Sequence, residues 1–165
     1  MKEKLIVVGN GMAGMRTVEE LLKIAPDKYD ITVFGEEPHG NYNRIMLSPL
    51  LSGEKNLEEI MINDLDWYTT NNITLHAGAE KHVARIDRRQ RFVFSEDGTK
   101  CHYDRLLLAT GSKPFIIPVP GKDLKGVISF RDIADVEIML KAAKNKRNAI
   151  VIGGGLLGLE AANGL

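Results

Sequence analysis

The chain has 165 residues, and 22 Lys+Arg balance 22 Asp+Glu, so it carries no formal net charge. That length suits one ordinary domain and part of another, and the charge balance removes the electrostatic argument for a nucleic-acid or anionic-membrane partner. No apolar run approaches the roughly 20 residues of a membrane span, and the lone Cys101 excludes an internal disulfide, a Cys-x-x-Cys pair and a thiolate set for zinc or iron–sulfur. The basic-then-apolar start stops at Gly9, too soon for a signal peptide. The expectation is a cytoplasmic protein with no metal site of its own.

Leu5-Ile6-Val7-Val8 is a continuous apolar run ending in Gly9, the texture of a strand buried on both faces of a parallel sheet. Met15, Val18, Leu22 and Ala25 then recur at helical spacing, and Pro26-Asp27 stops the helix. Ile31-Thr32-Val33-Phe34 reads as a second strand, which completes a β-α-β unit with parallel strands. Residues 38–56 are turn-rich, with a short helix expected around Arg44–Leu51. Leu57–Met61 and Asp64–Thr70 read as two further helical pieces, the second with Asn63 or Asp64 as its N-cap.

From Lys81 to Leu108 the texture becomes β-prone. Runs around Val83–Ile86 and Phe92–Phe94 are separated by Asp87-Arg88-Arg89-Gln90 and followed by Glu96-Asp97-Gly98. Asp-Gly between such runs is a hairpin signal, so a small antiparallel meander is expected. Leu106-Leu107-Leu108-Ala109 returns to the parallel-core texture. Pro114, Pro118, Pro120 and Gly121 mark 114–121 as a linker. A helix over Ile133–Lys144 follows, its exit carrying Lys141, Lys144, Lys146 and Arg147, which suits the negative end of the helix dipole. Ala149-Ile150-Val151-Ile152 reads as another buried strand.

Gly9-Asn10-Gly11-Met12-Ala13-Gly14 matches G-x-G-x-x-G after a strand and before a helix, the context of a dinucleotide site. Gly9 makes the tight turn, Gly11 lets a pyrophosphate approach the backbone, and Gly14 permits close helix–strand packing. The open N–H groups of the helix start, over Met12 and Ala13, then face the phosphates. An acidic residue about 20 positions later should accept hydrogen bonds from the ribose. Glu36 and Glu37 both lie there, with Glu36 following the strand more directly, and an acid at that place disfavours a 2′-phosphate.

The pattern recurs as Gly153-Gly154-Gly155-Leu156-Leu157-Gly158, again after a strand-like run. A full β-α-β unit takes about 30 residues, so the second unit is expected to be cut off inside its first helix. The sequence reads as the front part of a longer enzyme.

Several segments carry a family resemblance. They are the first fingerprint, Val33-Phe34-Gly35-Glu36-Glu37-Pro38, Tyr42-Asn43-Arg44 with Leu47-Ser48, and Leu107-Leu108-Ala109-Thr110-Gly111-Ser112. With these the chain resembles pyridine-nucleotide-disulfide-type flavoprotein reductases over essentially its whole length. More narrowly, Gly111-Ser112-Lys113-Pro114-Phe115 through Gly121, and the second fingerprint through Glu160-Ala161-Ala162-Asn163, are similar to the N-terminal FAD-binding module of NAD(P)H-dependent nitrite reductase large subunits.

The resemblance implies that Glu36 binds the FAD adenosine ribose and that Val83 presents its backbone to the adenine. It places Arg44 near the flavin and pyrophosphate, counts Ser48 among the cofactor-binding residues, closes Ala109-Thr110-Gly111 over the cofactor, and sets Arg131 beside the isoalloxazine. A cation there stabilises an anionic reduced flavin. The resemblance also assigns Gly153, Gly155, Gly158 and Glu160 to the NAD(P)H site. Related ferredoxin and rubredoxin reductases commonly carry Lys after the Leu-Ser pair, facing the Glu of the second fingerprint helix. Pro49 stands there instead, so Glu160 has either another cation as partner or none.

The expected fold is α/β, a Rossmann-like parallel sheet with a small antiparallel β-meander, of FAD/NAD(P)-binding type and truncated. Residues 1–113 form the first segment of a FAD-binding domain, 114–121 a linker, and 122–165 the start of an NAD(P)-binding domain. The implied activity passes electrons from NAD(P)H through FAD to a metal centre, an iron–sulfur cluster and sirohaem further along the longer protein. A small subunit or electron-acceptor domain is the implied partner. A ferredoxin or rubredoxin reductase and a non-enzymatic flavin-binding module are the alternatives. No catalytic side chain is expected, since the flavin carries the chemistry. His39, His76, His82 and His102 are scattered and read as surface or satisfied histidines. Trp67 and Tyr68 read as packing residues, and Cys101 as a neutral thiol.

Overall fold

The computed structural model describes residues 2–145 and 148–165. Lys146 and Arg147, assigned above to the helix exit, lie outside the described residues. The chain forms two compact units. One comprises residues through Tyr42 together with Met61–Gly111, and the other Asn43–Ile60 with Ser112–Leu165.

In the first unit, β1 (Glu3–Val8), β2 (Tyr29–Gly35), β5 (Thr74–Ala77) and β9 (Arg105–Leu108) form a four-stranded parallel sheet in the order β5-β2-β1-β9. Leu5 pairs with Ile31 on one side and Arg105 on the other, so β1 is central and its whole apolar run is buried. Helix α1 (Met12–Ile24) and helix α4 (Leu65–Thr70) cover one face, where Leu5, Val7, Met15, Val18, Ile31, Val33, Tyr68 and Ile73 share a core. Each such side chain withdrawn from water contributes about 1.5–3 kcal/mol.

The other face meets an antiparallel meander of β6 (Val83–Asp87), β7 (Phe92–Ser95) and β8 (Lys100–His102). Alternation along β7 sends Val93 inward against Ile6, Val8 and Phe34 and leaves Phe92 and Phe94 facing outward. A short antiparallel pair, β3 (Asn41–Tyr42) with β4 (Met61–Asn63), completes the unit.

The second unit is helical. A 3₁₀ turn over Arg44–Met46 leads into α2 (Leu47–Ser52), and α3 (Leu57–Ile60), α5 (Ile133–Ala143) and α6 (Leu156–Gly164) follow. Helix α2 packs against both α5 and α6. Leu47, Leu51, Ile60, Ile133, Val136 and Ala161 are buried there.

Three expectations need correction. Residues 149–152 form no strand, and Ile150 is 90% exposed. An apolar strand needs hydrogen-bonding neighbours, and no strand lies among the described residues of this unit. Strand β5 was not anticipated, because Thr74-Leu75-His76-Ala77 is an edge strand without an apolar run. Met61 leaves the expected helix and opens β4, where it pairs with Tyr42. No helix among the described residues is long and apolar enough to cross a membrane.

Candidate functional site

The strand order of the first unit dictates where a ligand can enter. The chain leaves β1 toward β2 on one side, and β9 lies on the other, so the crossover direction reverses at β1. A crevice forms at the carboxyl ends of strands at such a point. Three of the candidate segments are delivered to that edge. The first fingerprint follows β1, Glu36 and Glu37 follow β2, and Ala109-Thr110-Gly111 follows β9.

The glycines pack the edge closely. Gly9 has φ +114°, and a Cβ there would collide with the Ala109 carbonyl. A Cβ on Gly14 would meet the Gly9 carbonyl oxygen at 2.6 Å and the Ala109 side chain at 3.2 Å. Gly11 differs, since a Cβ would meet nothing within 4 Å. Its face is open, which leaves the backbone approachable.

Helix starts differ in a telling way. Asp64 closes α4 by accepting from Trp67 N–H, and Asp132 closes α5 by accepting from Asp135 N–H. Helices α1 and α6 begin at Gly11 and Gly155, with no side-chain cap. Their first-turn N–H groups point outward along the axis, carrying the positive end of the dipole. Both fingerprint helices are thus open where an anion would bind. The second repeats the first in detail: Gly153 has φ +136°, and a Cβ on Gly158 would collide with the Gly153 carbonyl.

Asn10 braces the first fingerprint. Its amide Nδ2 donates to the His39 carbonyl at 3.1 Å, and its Oδ1 accepts from the Tyr68 hydroxyl at 2.6 Å. The first glycine turn is therefore tied to the loop that carries Glu36 and Glu37. The Tyr68 hydroxyl also accepts from Asn41 N–H at 3.1 Å, and burial pushes its pKa up to about 12. Asn41 donates in turn to Asn63, which donates to Glu19 on α1.

Sequence reading missed Asn10 and the Tyr68 hydroxyl. One signal was available, because a buried tyrosine hydroxyl must find a partner.

The acidic pair divides its contacts. Glu36 Oε1 contacts His82 Nδ1, and Glu37 accepts from the Tyr42 hydroxyl at 2.6 Å. Val83 follows His82 at the start of β6. His76 stacks on Phe34 with ring centroids 4.7 Å apart, and burial lowers its pKa. Cys101 sits half-buried on β8, its thiol pushed up by burial.

A groove of about 730 Å³, lined by Lys2, Lys4, Asp27, Asp30 and Asp104 among others, opens at the amino edge of this sheet. Its mixed charges and its place opposite the glycine turns separate it from the candidate site.

Within the second unit, Arg44 Nη1 donates to the Arg131 carbonyl at 3.0 Å. Arg131 Nη2 donates to Ser112 Oγ at 3.1 Å, while its N–H bonds Asp135 at 2.7 Å. The two candidate arginines are thus brought together. Ser48 Oγ donates to Glu160 Oε2 at 2.8 Å. A hydroxyl, neither of the two arrangements expected above, therefore engages Glu160.

A family model described as pyridine nucleotide-disulphide oxidoreductase matches residues 3–165. The chain belongs to this family. Among its members it is 52% identical over 164 residues to an NAD(P)H nitrite reductase of Bacillus subtilis (strain 168), covering 99% of this chain and 20% of that protein. It is 48% identical to the assimilatory nitrate reductase electron transfer subunit of the same organism, covering 99% of this chain and 21% of that protein. The chain thus spans about one fifth of these curated relatives. Among solved structures, NADH:rubredoxin oxidoreductase from Clostridium acetobutylicum superposes with a TM-score of 0.86 at 32% identity, over 99% of this chain and 42% of that one. The family's α/β architecture, a parallel sheet with helices and a small antiparallel sheet, is the one described above.

Proposed function

We propose that this chain is the FAD-binding N-terminal portion of an NAD(P)H-dependent oxidoreductase of the nitrite reductase type. The observation that carries this reading is the repeated glycine geometry: two uncapped helix starts, each behind a positive-φ glycine and a close glycine contact. The residues fit a dinucleotide, since side chains at Gly9 or Gly14 would fill the turn while Gly11 leaves it open. The 52% identity to a nitrite reductase supports the type.

On this reading residues 1–113 belong to the FAD domain, 114–121 to a linker and 122–165 to the NAD(P) domain. The N–H groups of Met12, Ala13 and Gly14 hold the FAD diphosphate, Glu36 accepts from the adenosine ribose, and Val83 meets the adenine. Thr110 and Gly111 close over the cofactor. Arg44 and Arg131 supply positive charge, Arg131 being oriented by Ser112 and Asp135. Gly153, Gly155 and Gly158 hold the NAD(P)H diphosphate, and Ser48 orients Glu160. When bound, FAD supplies the capacity to accept a hydride from NAD(P)H and release electrons singly, to a small subunit or a metal centre such as an iron–sulfur cluster with sirohaem.

Reconstitution tests the cofactor assignment. The chain is mixed with FAD, desalted, and its visible absorbance recorded. A retained flavin band is expected, and all flavin in the filtrate overturns the assignment. A ferredoxin or rubredoxin reductase is the second reading, favoured by the likeness to NADH:rubredoxin oxidoreductase. Full-length protein that reduces rubredoxin but leaves nitrite untouched would select it.

A further inference from the structure

We propose that His82 is a positioning residue for nucleotide binding, holding the Glu36 carboxylate ready for ribose hydroxyls. The inference deepens the flavin-site reading and rests on it. Glu36 lies just past the end of β2, with a side chain 55% exposed. A glutamate so placed has several rotamers open to it and surrenders that freedom when a ligand binds. His82 removes part of the cost beforehand. Its Nδ1 contacts Glu36 Oε1, leaving Oε2 and the remaining acceptor sites for a sugar.

His82 is itself well anchored. Its N–H donates to the Ala79 carbonyl at 3.3 Å, and its carbonyl accepts from Glu96 N–H at 3.0 Å. The residue therefore stands at the entry of the meander, between the ribose acid and Val83. Its imidazole is 39% exposed and lies directly against the Glu36 carboxylate. A binding acid braced by a neighbouring donor is the arrangement that orients ligating carboxylates and histidines in metal sites. Here the same logic serves an uncharged diol.

Positioning is separable from direct contact. FAD binding to the full chain is followed by fluorescence quenching, with FMN, which lacks the adenosine ribose, as the control probe. His82→Ala is expected to weaken FAD about three- to tenfold, the range for a partly exposed bond to a charged group, and to leave FMN unchanged. His82→Asn places an amide N–H where Nδ1 stood and is expected to restore FAD affinity. In a Glu36→Ala background, His82→Ala is expected to have no further effect. Circular dichroism of each variant verifies folding.

Wild-type affinity in His82→Ala overturns the proposal and leaves the flavin reading intact. An undiminished His82→Ala effect without Glu36 also overturns it, since the imidazole then touches the ligand itself. An unmodified chain that quenches no FAD overturns the flavin reading, and this proposal with it.

Discussion

The Tyr68 hydroxyl donates to Asn10 Oδ1 at 2.6 Å, joining the helix behind the sheet to the turn between the first two fingerprint glycines. Tyr68→Phe keeps the ring, and so the packing, but leaves the half-buried Asn10 acceptor and the buried Asn41 N–H without this partner. A loss of about 1–3 kcal/mol is expected, read as a lower urea midpoint at unchanged slope. A midpoint equal to wild type would show that this bond contributes nothing.

The same hydroxyl sets an alkaline limb. The folded pKa of about 12 stands above the ordinary tyrosine value of about 10. The native state therefore keeps its proton longer than the unfolded chain. This contribution is complete below about pH 10 and is lost as pH rises toward about 12. Phenolate absorbance should contain a late step that Tyr68→Phe removes; an unchanged titration in that variant would contradict the assignment.

Gly11 and Gly14 should respond in opposite ways. Gly14→Ala drives a methyl into the Gly9 carbonyl, and a loss above about 2 kcal/mol is expected, as for other overpacked sites. Gly11→Ala meets open space in an extended backbone, so stability should stay within about 1 kcal/mol of wild type. FAD affinity should nevertheless fall. Thermal melts and flavin titration on both variants separate the two effects, and equal melting losses would refute the distinction.

Ser48→Ala removes the hydroxyl that engages Glu160 across α2 and α6. The bond is only partly buried, so a cost of about 1 kcal/mol is expected. Faster amide exchange confined to α2 and α6 is the expected signature. Exchange unchanged in both helices would mean that Leu51 and its apolar neighbours alone hold them.

The parts legible in the sequence were those encoded within a short span. The apolar run Leu5–Val8, the glycine spacing after it, and the Asp97-Gly98 turn each carry their own local physics, and all reappear in place. Strand β5 was hidden because an edge strand needs neither an apolar run nor alternation. Residues 149–152 misled for the converse reason: apolar, β-branched composition fits a buried strand, but a strand exists only through a neighbour. Asn63 and Asp64 were equal candidates for the helix cap until geometry selected Asp64. The contacts around the site were out of reach, since Asn10 and Tyr68 stand 58 residues apart and only the folded sheet brings them together.

On the flavin-site reading, Asn10 also bears on how long a nucleotide stays. Because one amide cross-braces the turn and the neighbouring acidic loop before any visitor arrives, their relative order is established during folding and adds no entropy penalty at association. Receptors prepared this way differ from floppy ones chiefly in residence time, with capture rates little altered. On the flavin-site reading, a cofactor seated there is expected to leave slowly.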